Sequence, residues 1–321
     1  MAQQQNFADR LIEAIRAKGS PICVGLDPRL AQLPEFLREE HRIKKGGSFE
    51  AAADCIFEFN KGIIDAVHDL VPAVKPQIAF YEQFGFAGMF AFEETCKYAK
   101  EKGLLVIADA KRGDIGSTAE AYAAAFLGKV DLFGHEVDAP VWCDALTVVP
   151  YLGSDGITPF VERCAAQGKG LFVLAKTSNV SSGELQDRML AEKFDGSEHL
   201  KVYELMAHLI ESWGSNEVGE HGYSSIGLVV GATFPRDAAA IRKIVPNAFF
   251  LVPGYGAQGA TAQDIAVNFN EDGLGALVNS SRDIIFAYQK SKKFGEGEYA
   301  KAAREAVTRM REDLEKVIAR P

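Results

Sequence analysis

The stretch LLVIADAKRGDIGST, residues 104–118, runs an apolar segment without interruption into Asp109, Lys111 and Asp114. Successive side chains of a strand point to opposite faces, so Asp109 and Lys111, two residues apart, project from the same one. Asp114, three residues further on, falls in the loop beyond the strand. Lys75 lies in an earlier apolar run, PAVKPQI. If the two runs pair at a spacing of about 4.8 Å, Lys75 and Asp109 meet. Asp27 closes a third run, PICVGLD, on the face that carries Cys23 and Gly25. Alone, Asp109 and Lys111 would read as a solvated ion pair at a strand end. Five such groups delivered to one end of three strands do not, because burying charges costs several kcal/mol each, about what only function retains. Ammonium and carboxylate groups interleaved in this way can stabilise a developing negative charge and hold a proton ready to give to it.

A second cluster suits phosphate. VPGYGAQGA places Gly254, Gly256 and Gly259 around Gln258, and VNSSRDI ends one apolar run later at Arg282. Glycine-rich loops free backbone N–H groups for an anion, and an arginine supplies a two-pronged cation. A glycine loop alone would read as a turn; its pairing with Arg282 is what points to phosphate.

These groups need a frame. Eight Val-, Ile- and Leu-rich runs (21–26, 72–78, 104–110, 145–149, 171–176, 226–231, 248–253 and 276–280) alternate with segments of helical period near 50–69, 83–102, 117–127, 157–167, 200–213, 235–244 and 261–268, and a last amphipathic helix spans 297–318. That alternation predicts an α/β fold with eight parallel strands closed into a (β/α)8 TIM barrel. Its chemistry belongs at the C-terminal ends of the strands, with phosphate held after strands seven and eight. The expected organisation is a single barrel domain over residues 1–321, with loop insertions at 31–49, 181–199 and 214–223. The aromatic stretch FYEQFGFAGMFAF, together with Trp142 and Trp213, reads as packing rather than as a ligand platform.

Composition narrows the class. Apolar residues make up 47% and charged residues 25% of 321, ordinary for a globular chain with a large core. A net charge of −9 argues against a nucleic-acid or anionic-membrane partner, so an anionic substrate needs a locally positive pocket. The five cysteines (Cys23, Cys55, Cys96, Cys143 and Cys164) are scattered without CxxC spacing, and no run of apolar residues is long enough to span a bilayer. Reduced, buried thiols and a cytoplasmic location are the expectation. The six histidines form no HxxH or HxxxH pair, and no metal site or cofactor is expected.

DAKRGDIGST contains Asp-x-Lys-x-x-Asp, the signature of the orotidine 5′-monophosphate decarboxylases, and the chain resembles their long bacterial form (type 2). CVGLDP, AVKPQIAFYEQFG, LTVVPYLGSDG, AKTSN, VPGYGAQG and NSSR follow in that family's order. Val180 and Asp283 depart from it, standing where proline and glycine are common. The resemblance implies conversion of orotidine 5′-monophosphate to UMP and CO₂ without metal or cofactor. Lys75, Asp109, Lys111 and Asp114 would form the charge array, with Lys111 as proton donor. Asp27 and Lys75 would bind ribose, Ser178 the pyrimidine, and Gln258 and Arg282 the phosphate. Asp114 and Thr118 would reach a partner subunit's pocket, making the site a property of a homodimer. The rival reading is a metal-using sugar-phosphate decarboxylase or epimerase, which shares the motif but needs a carboxylate where this chain has Lys75. A noncatalytic nucleotide-binding barrel has no use for the buried charges.

Overall fold

The computed structural model describes residues 5–194, 198–256 and 259–318. Eight strands form a closed parallel barrel: β1 (Ile22–Leu26), β2 (Ala73–Pro76), β3 (Leu105–Arg112), β4 (Ala145–Val148), β5 (Gly170–Lys176), β6 (Ser224–Val230), β7 (Ala248–Pro253) and β8 (Ala276–Ser280). Each pairs with its neighbours in the chain, and β8 closes on β1 through Ile22 opposite Val278 and Cys23 opposite Asn279. Strand order therefore repeats sequence order, as βα repeats require when every crossover has one hand.

α1 (Phe7–Lys18) lies under the barrel, and the outer layer contains α2 (Glu35–Lys45), α3 (Phe49–Val67), α4 (Gly85–Glu101), α5 (Gly116–Leu127), α6 (Ser154–Gln167), α7 (Val202–Gly214), α8 (Pro235–Ile244), α9 (Ala262–Ala266), α10 (Arg282–Ile285) and α11 (Tyr299–Leu314). Local chemistry marks several starts. The Asn6 side chain accepts from the Ala8 N–H at 2.7 Å, that of Ser48 accepts from Ala51 at 3.1 Å, and Pro235 opens α8. The last helix packs on α3, where Phe59 stacks on Tyr299 at 5.0 Å and Gly62 leaves no room for even a Cβ beside the Tyr299 ring.

The barrel interior is layered. Cys23, Ala73, Ile107, Ala145, Phe172, Phe249 and Leu277 form an apolar floor, closed from below by Phe7, Leu11, Ile12 and Ile15 of α1. Two residues further along their strands stand Gly25, Lys75, Asp109, Thr147, Leu174, Leu251 and Asn279. Polar groups thus enter only the layer that opens at the C-terminal mouth.

Two expectations need correction, and one element was not foreseen. Segment 31–49 is not loop throughout, since α2 occupies 35–45 with Leu37 and His41 buried. Residues 181–199 contain a 3-10 turn (Val180–Glu184) and a hairpin of Met189–Phe194 with Glu198–Lys201. A further hairpin, Lys129–Leu132 with His135–Asp138, had no clear sequence signal. Its turn places Phe133 and Gly134 at φ 56° and 88°, a geometry that Asn-Gly usually announces. The aromatic stretch also divides: Tyr81 and Phe92 are buried as packing requires, whereas Phe86 and Phe90 face solvent. All five cysteines are buried and unpaired, as expected.

Candidate active site

Asp109 is the hub of the charged layer. It is 7% exposed, and its Oδ2 accepts from the Lys75 ammonium at 2.7 Å and from Gln77 Nε2 at 2.9 Å. Its other oxygen, Oδ1, accepts from Lys111 Nζ at 2.5 Å and from Thr147 Oγ1 at 3.0 Å. Both oxygens are thus saturated and the carboxylate cannot rotate, which is the condition for a buried charge to hold a geometry.

Lys75 and Lys111 differ in setting. Lys75 is 4% exposed. Burial opposes its ammonium, but Asp109 and Asp27 outweigh burial and raise its pKa above that of an ordinary lysine. Burial likewise opposes the Asp109 carboxylate, and Lys75 and Lys111 overcome it to hold the carboxyl well below the usual range. The Cys23 thiol beneath them is pushed up to about 12, chiefly by burial. The Lys111 side chain is 43% exposed and lies at the mouth, tethered to Asp109 at one end and open to a ligand on the other.

Strand alternation alone does not place Lys111. Its φ is 47°, in the left-handed region, and the β3–β4 register shifts between Ala108 and Arg112. The Lys111 N–H donates to Thr147 Oγ1 at 3.0 Å, which pins this turned backbone. A non-glycine residue held there costs about 1–3 kcal/mol and persists where its surroundings impose it. Thr147 and Gln77 were missed as site residues. Both could have been found by alternation: Thr147 stands two residues after Ala145 on the inward face of ALTVV, and Gln77 two residues after Lys75 in PAVKPQI, where it bridges to Asp109.

The other candidates surround this hub unevenly. Asp27 Oδ1 is buried and has no hydrogen-bond partner among the described residues, leaving an acceptor for a ligand hydroxyl. A cavity of about 370 Å³ is lined by Lys75, Asp109, Lys111 and Thr147 together with Thr177, Ser178 and Asn179. Ser178 thus shares the cavity with the charged cluster. Asp114 is half-buried and caps its own neighbour, accepting from the Ile115 N–H at 2.8 Å; among the described residues it has no cation within ion-pair distance. Within this chain Lys111 is therefore held by Asp109 and not flanked by two carboxylates. Thr118 is exposed in the first turn of α5. Arg282 is exposed at the start of α10, and the adjacent Asp283 pairs with Lys290 at 2.8 Å rather than with Arg282. Gln258 lies outside the described residues.

A closed eight-stranded barrel with a Lys–Asp–Lys cluster at its C-terminal mouth defines the class as a (β/α)8-barrel enzyme. The chain belongs to the Orotidine 5′-phosphate decarboxylase / HUMPS family, whose model matches residues 20–295. It is 46% identical over 312 residues to an orotidine 5′-phosphate decarboxylase of Rhodopirellula baltica, spanning 96% of this chain and 98% of that one. The counterpart in Caldicellulosiruptor bescii is 41% identical over 314 residues, spanning 98% and 99%. Among solved structures, Leishmania donovani OMP decarboxylase superposes with a TM-score of 0.69 at 31% identity, covering 96% of this chain and 99% of that one.

Proposed function

We propose that Lys111, positioned by Asp109, is the acid with which this chain decarboxylates orotidine 5′-monophosphate. The chain is an orotidine 5′-phosphate decarboxylase, a carboxy-lyase that makes UMP and CO₂ in pyrimidine biosynthesis. Loss of CO₂ from C6 leaves an electron pair in an sp² orbital that the ring delocalises poorly. A fixed cation beside C6 is what the transition state demands, and a preorganised charge needs no rearrangement as the pair develops. The proton then passes from Lys111 Nζ to C6.

The single observation that carries this reading is the four-fold tethering of Asp109, because it fixes the Lys111 ammonium at the cavity wall. Asp27 and Lys75 would take the ribose hydroxyls, Ser178 the pyrimidine, and Gln258 and Arg282 the phosphate. Binding energy from that remote phosphate would offset the cost of assembling the charges around the reacting carbon. Lys75 also speaks against a divalent-metal mechanism, since an ammonium 2.7 Å from Asp109 repels a cation from that carboxylate.

The active unit is a homodimer of the long bacterial form, located in the cytoplasm and without a nucleic-acid partner. Apolar side chains are exposed on the first turns of α4, at Phe86 and Phe90, and in the next three strand-to-helix connections, at Ile115, at Tyr151 and Leu152, and at Val180. Leu152 and Asp114 both lie against Gly156, so this rim runs directly beside Asp114. A second copy covering the rim would receive Asp114 and Thr118 in its own pocket and complete the charge array. The test is an assay of the purified chain with orotidine 5′-monophosphate in EDTA. UMP and CO₂ are expected at the metal-replete rate; absence of UMP, or its loss on chelation, contradicts the proposal.

A further inference from the structure

Lys176 is a charged group for which the reaction has no use. It ends β5, immediately before Thr177, Ser178 and Asn179 of the cavity wall, yet its own side chain is 0% exposed and lies outside that cavity. The β5–β6 register shifts between Leu174 and Lys176, which turns the lysine away from the barrel interior. The ammonium sits 2.5 Å from Asp187 Oδ1 and 3.4 Å from Asp237 Oδ2, 4.5 Å from the centre of the Phe234 ring and 5.4 Å from that of Tyr203. It therefore joins three segments: the loop after β5, the inserted segment that carries Asp187, and the start of α8, which carries Asp237.

Each of those segments grips the Thr177–Asn179 loop. Beside Asp187, the Gln186 side chain accepts from the Thr177 N–H at 2.9 Å and donates to Thr177 Oγ1 at 2.8 Å. That hydroxyl donates in turn to Asn179 Oδ1 at 2.7 Å, and the Ser182 N–H donates to the Asn179 carbonyl at 3.1 Å. Beside Phe234, Thr233 Oγ1 donates to the Ser178 carbonyl at 3.2 Å. Gly231, whose N–H donates to the Lys176 carbonyl at 2.8 Å, approaches Ser178 so closely that a Cβ would lie 2.7 Å from its backbone.

We infer that Lys176 is a positioning residue for substrate recognition: its buried ammonium clamps the inserted segment to α8 and thereby sets where Ser178 meets the pyrimidine ring. This gives the insertion after β5 a role, as the outer jaw of the base-binding loop. The inference rests on the reading of Ser178 as the residue that contacts the base. It requires a selective effect, since a loosened loop weakens contacts to the ring while leaving the sugar-phosphate end untouched.

Affinities of the full chain for UMP and for ribose 5-phosphate, which lacks the base, separate the two ends of the site. Lys176→Met and Ser178→Ala should each weaken UMP about tenfold and leave ribose 5-phosphate within about twofold, with Lys176→Arg staying close to the parent. KM for orotidine 5′-monophosphate should rise in Lys176→Met with a smaller change in kcat. Asp187→Asn, at a half-exposed position, gives the same selective loss in a chain that keeps its buried lysine and so covers failure of Lys176→Met to fold. Unchanged UMP affinity in both Lys176→Met and Asp187→Asn, alongside a weakened Ser178→Ala, overturns the clamp and leaves the base contact standing. Equal loss of both ligands overturns it in favour of a purely structural lysine. Unchanged UMP affinity in Ser178→Ala removes the base contact itself, and the clamp with it.

Discussion

Asp109 combines two ammonium groups, a hydroxyl and an amide on two oxygens, so its replacement has consequences beyond one lost pair. Asp109→Asn leaves Lys75 buried with its nearest countercharge gone, a change that costs about 3–5 kcal/mol, and chemical denaturation should register it as a lower midpoint at unchanged slope. The pH dependence has a definite sign. The folded pKa of Asp109 is depressed, so its contribution is fully present above its ordinary value of 3.8 and is lost as pH falls below it. The parent should therefore lose stability on acidification more steeply than Asp109→Asn, and parallel acid limbs would show that the carboxylate contributes nothing. Thr147→Val removes the hydroxyl that both donates to Asp109 and accepts from the Lys111 N–H; kcat/KM should fall about 10- to 100-fold with little change in volume. At the left-handed Lys111, Lys111→Gly should unfold at higher denaturant than Lys111→Ala by about 1 kcal/mol, because glycine adopts that φ without strain.

At the scale of elements, all eight strands and their order were legible, because parallel strands buried on both faces are continuous apolar runs and hardly anything else in this chain is. Site legibility followed the same limit. Lys75 and Asp109 sit on regular strand and were placed by alternation, whereas the backbone turn at Lys111 depends on a register shift against β4 that no local pattern encodes. The missed elements include α2, whose charged surface disguised two buried residues, the hairpin turning at Phe133, and the hairpin of Met189–Phe194 with Glu198–Lys201. Arg242 in α8 was equally hidden. Its guanidinium is buried, lies 3.6 Å from the centre of the Phe250 ring and donates to the carbonyls of Val245, Pro246, Ala248, Asn268 and Gly275, tying α8 to the starts of β7 and β8. Arg242→Leu removes a donor from each of these carbonyls, leaving Gly275 with the Phe250 N–H and Pro246 with the Asn270 amide, and should destabilise the chain by about 3 kcal/mol; a loss below about 1 kcal/mol would mean that water replaces the arginine.

At the scale of the molecule, the proposed dimer would cover the apolar rim and take up Asp114, which has no cation within ion-pair distance among the described residues. Complementation tests whether that carboxylate acts across subunits. Lys111→Ala and Asp114→Asn should each be nearly inactive alone. Re-associated in equal amounts, they should recover about a quarter of parental activity, because half the dimers are mixed and each mixed dimer rebuilds one intact site. No recovery under conditions that exchange subunits would place Asp114 in its own pocket.

Single-turnover decarboxylation of orotidine 5′-monophosphate by Lys111→Ala in EDTA shows whether the Lys111 ammonium supplies the proton at the carbon losing CO₂. The expected rate is at least about 100-fold below the parent, in a protein whose circular dichroism and thermal midpoint show an intact barrel. A correctly folded Lys111→Ala chain that keeps more than about a hundredth of the parental rate would contradict Lys111 as the proton donor.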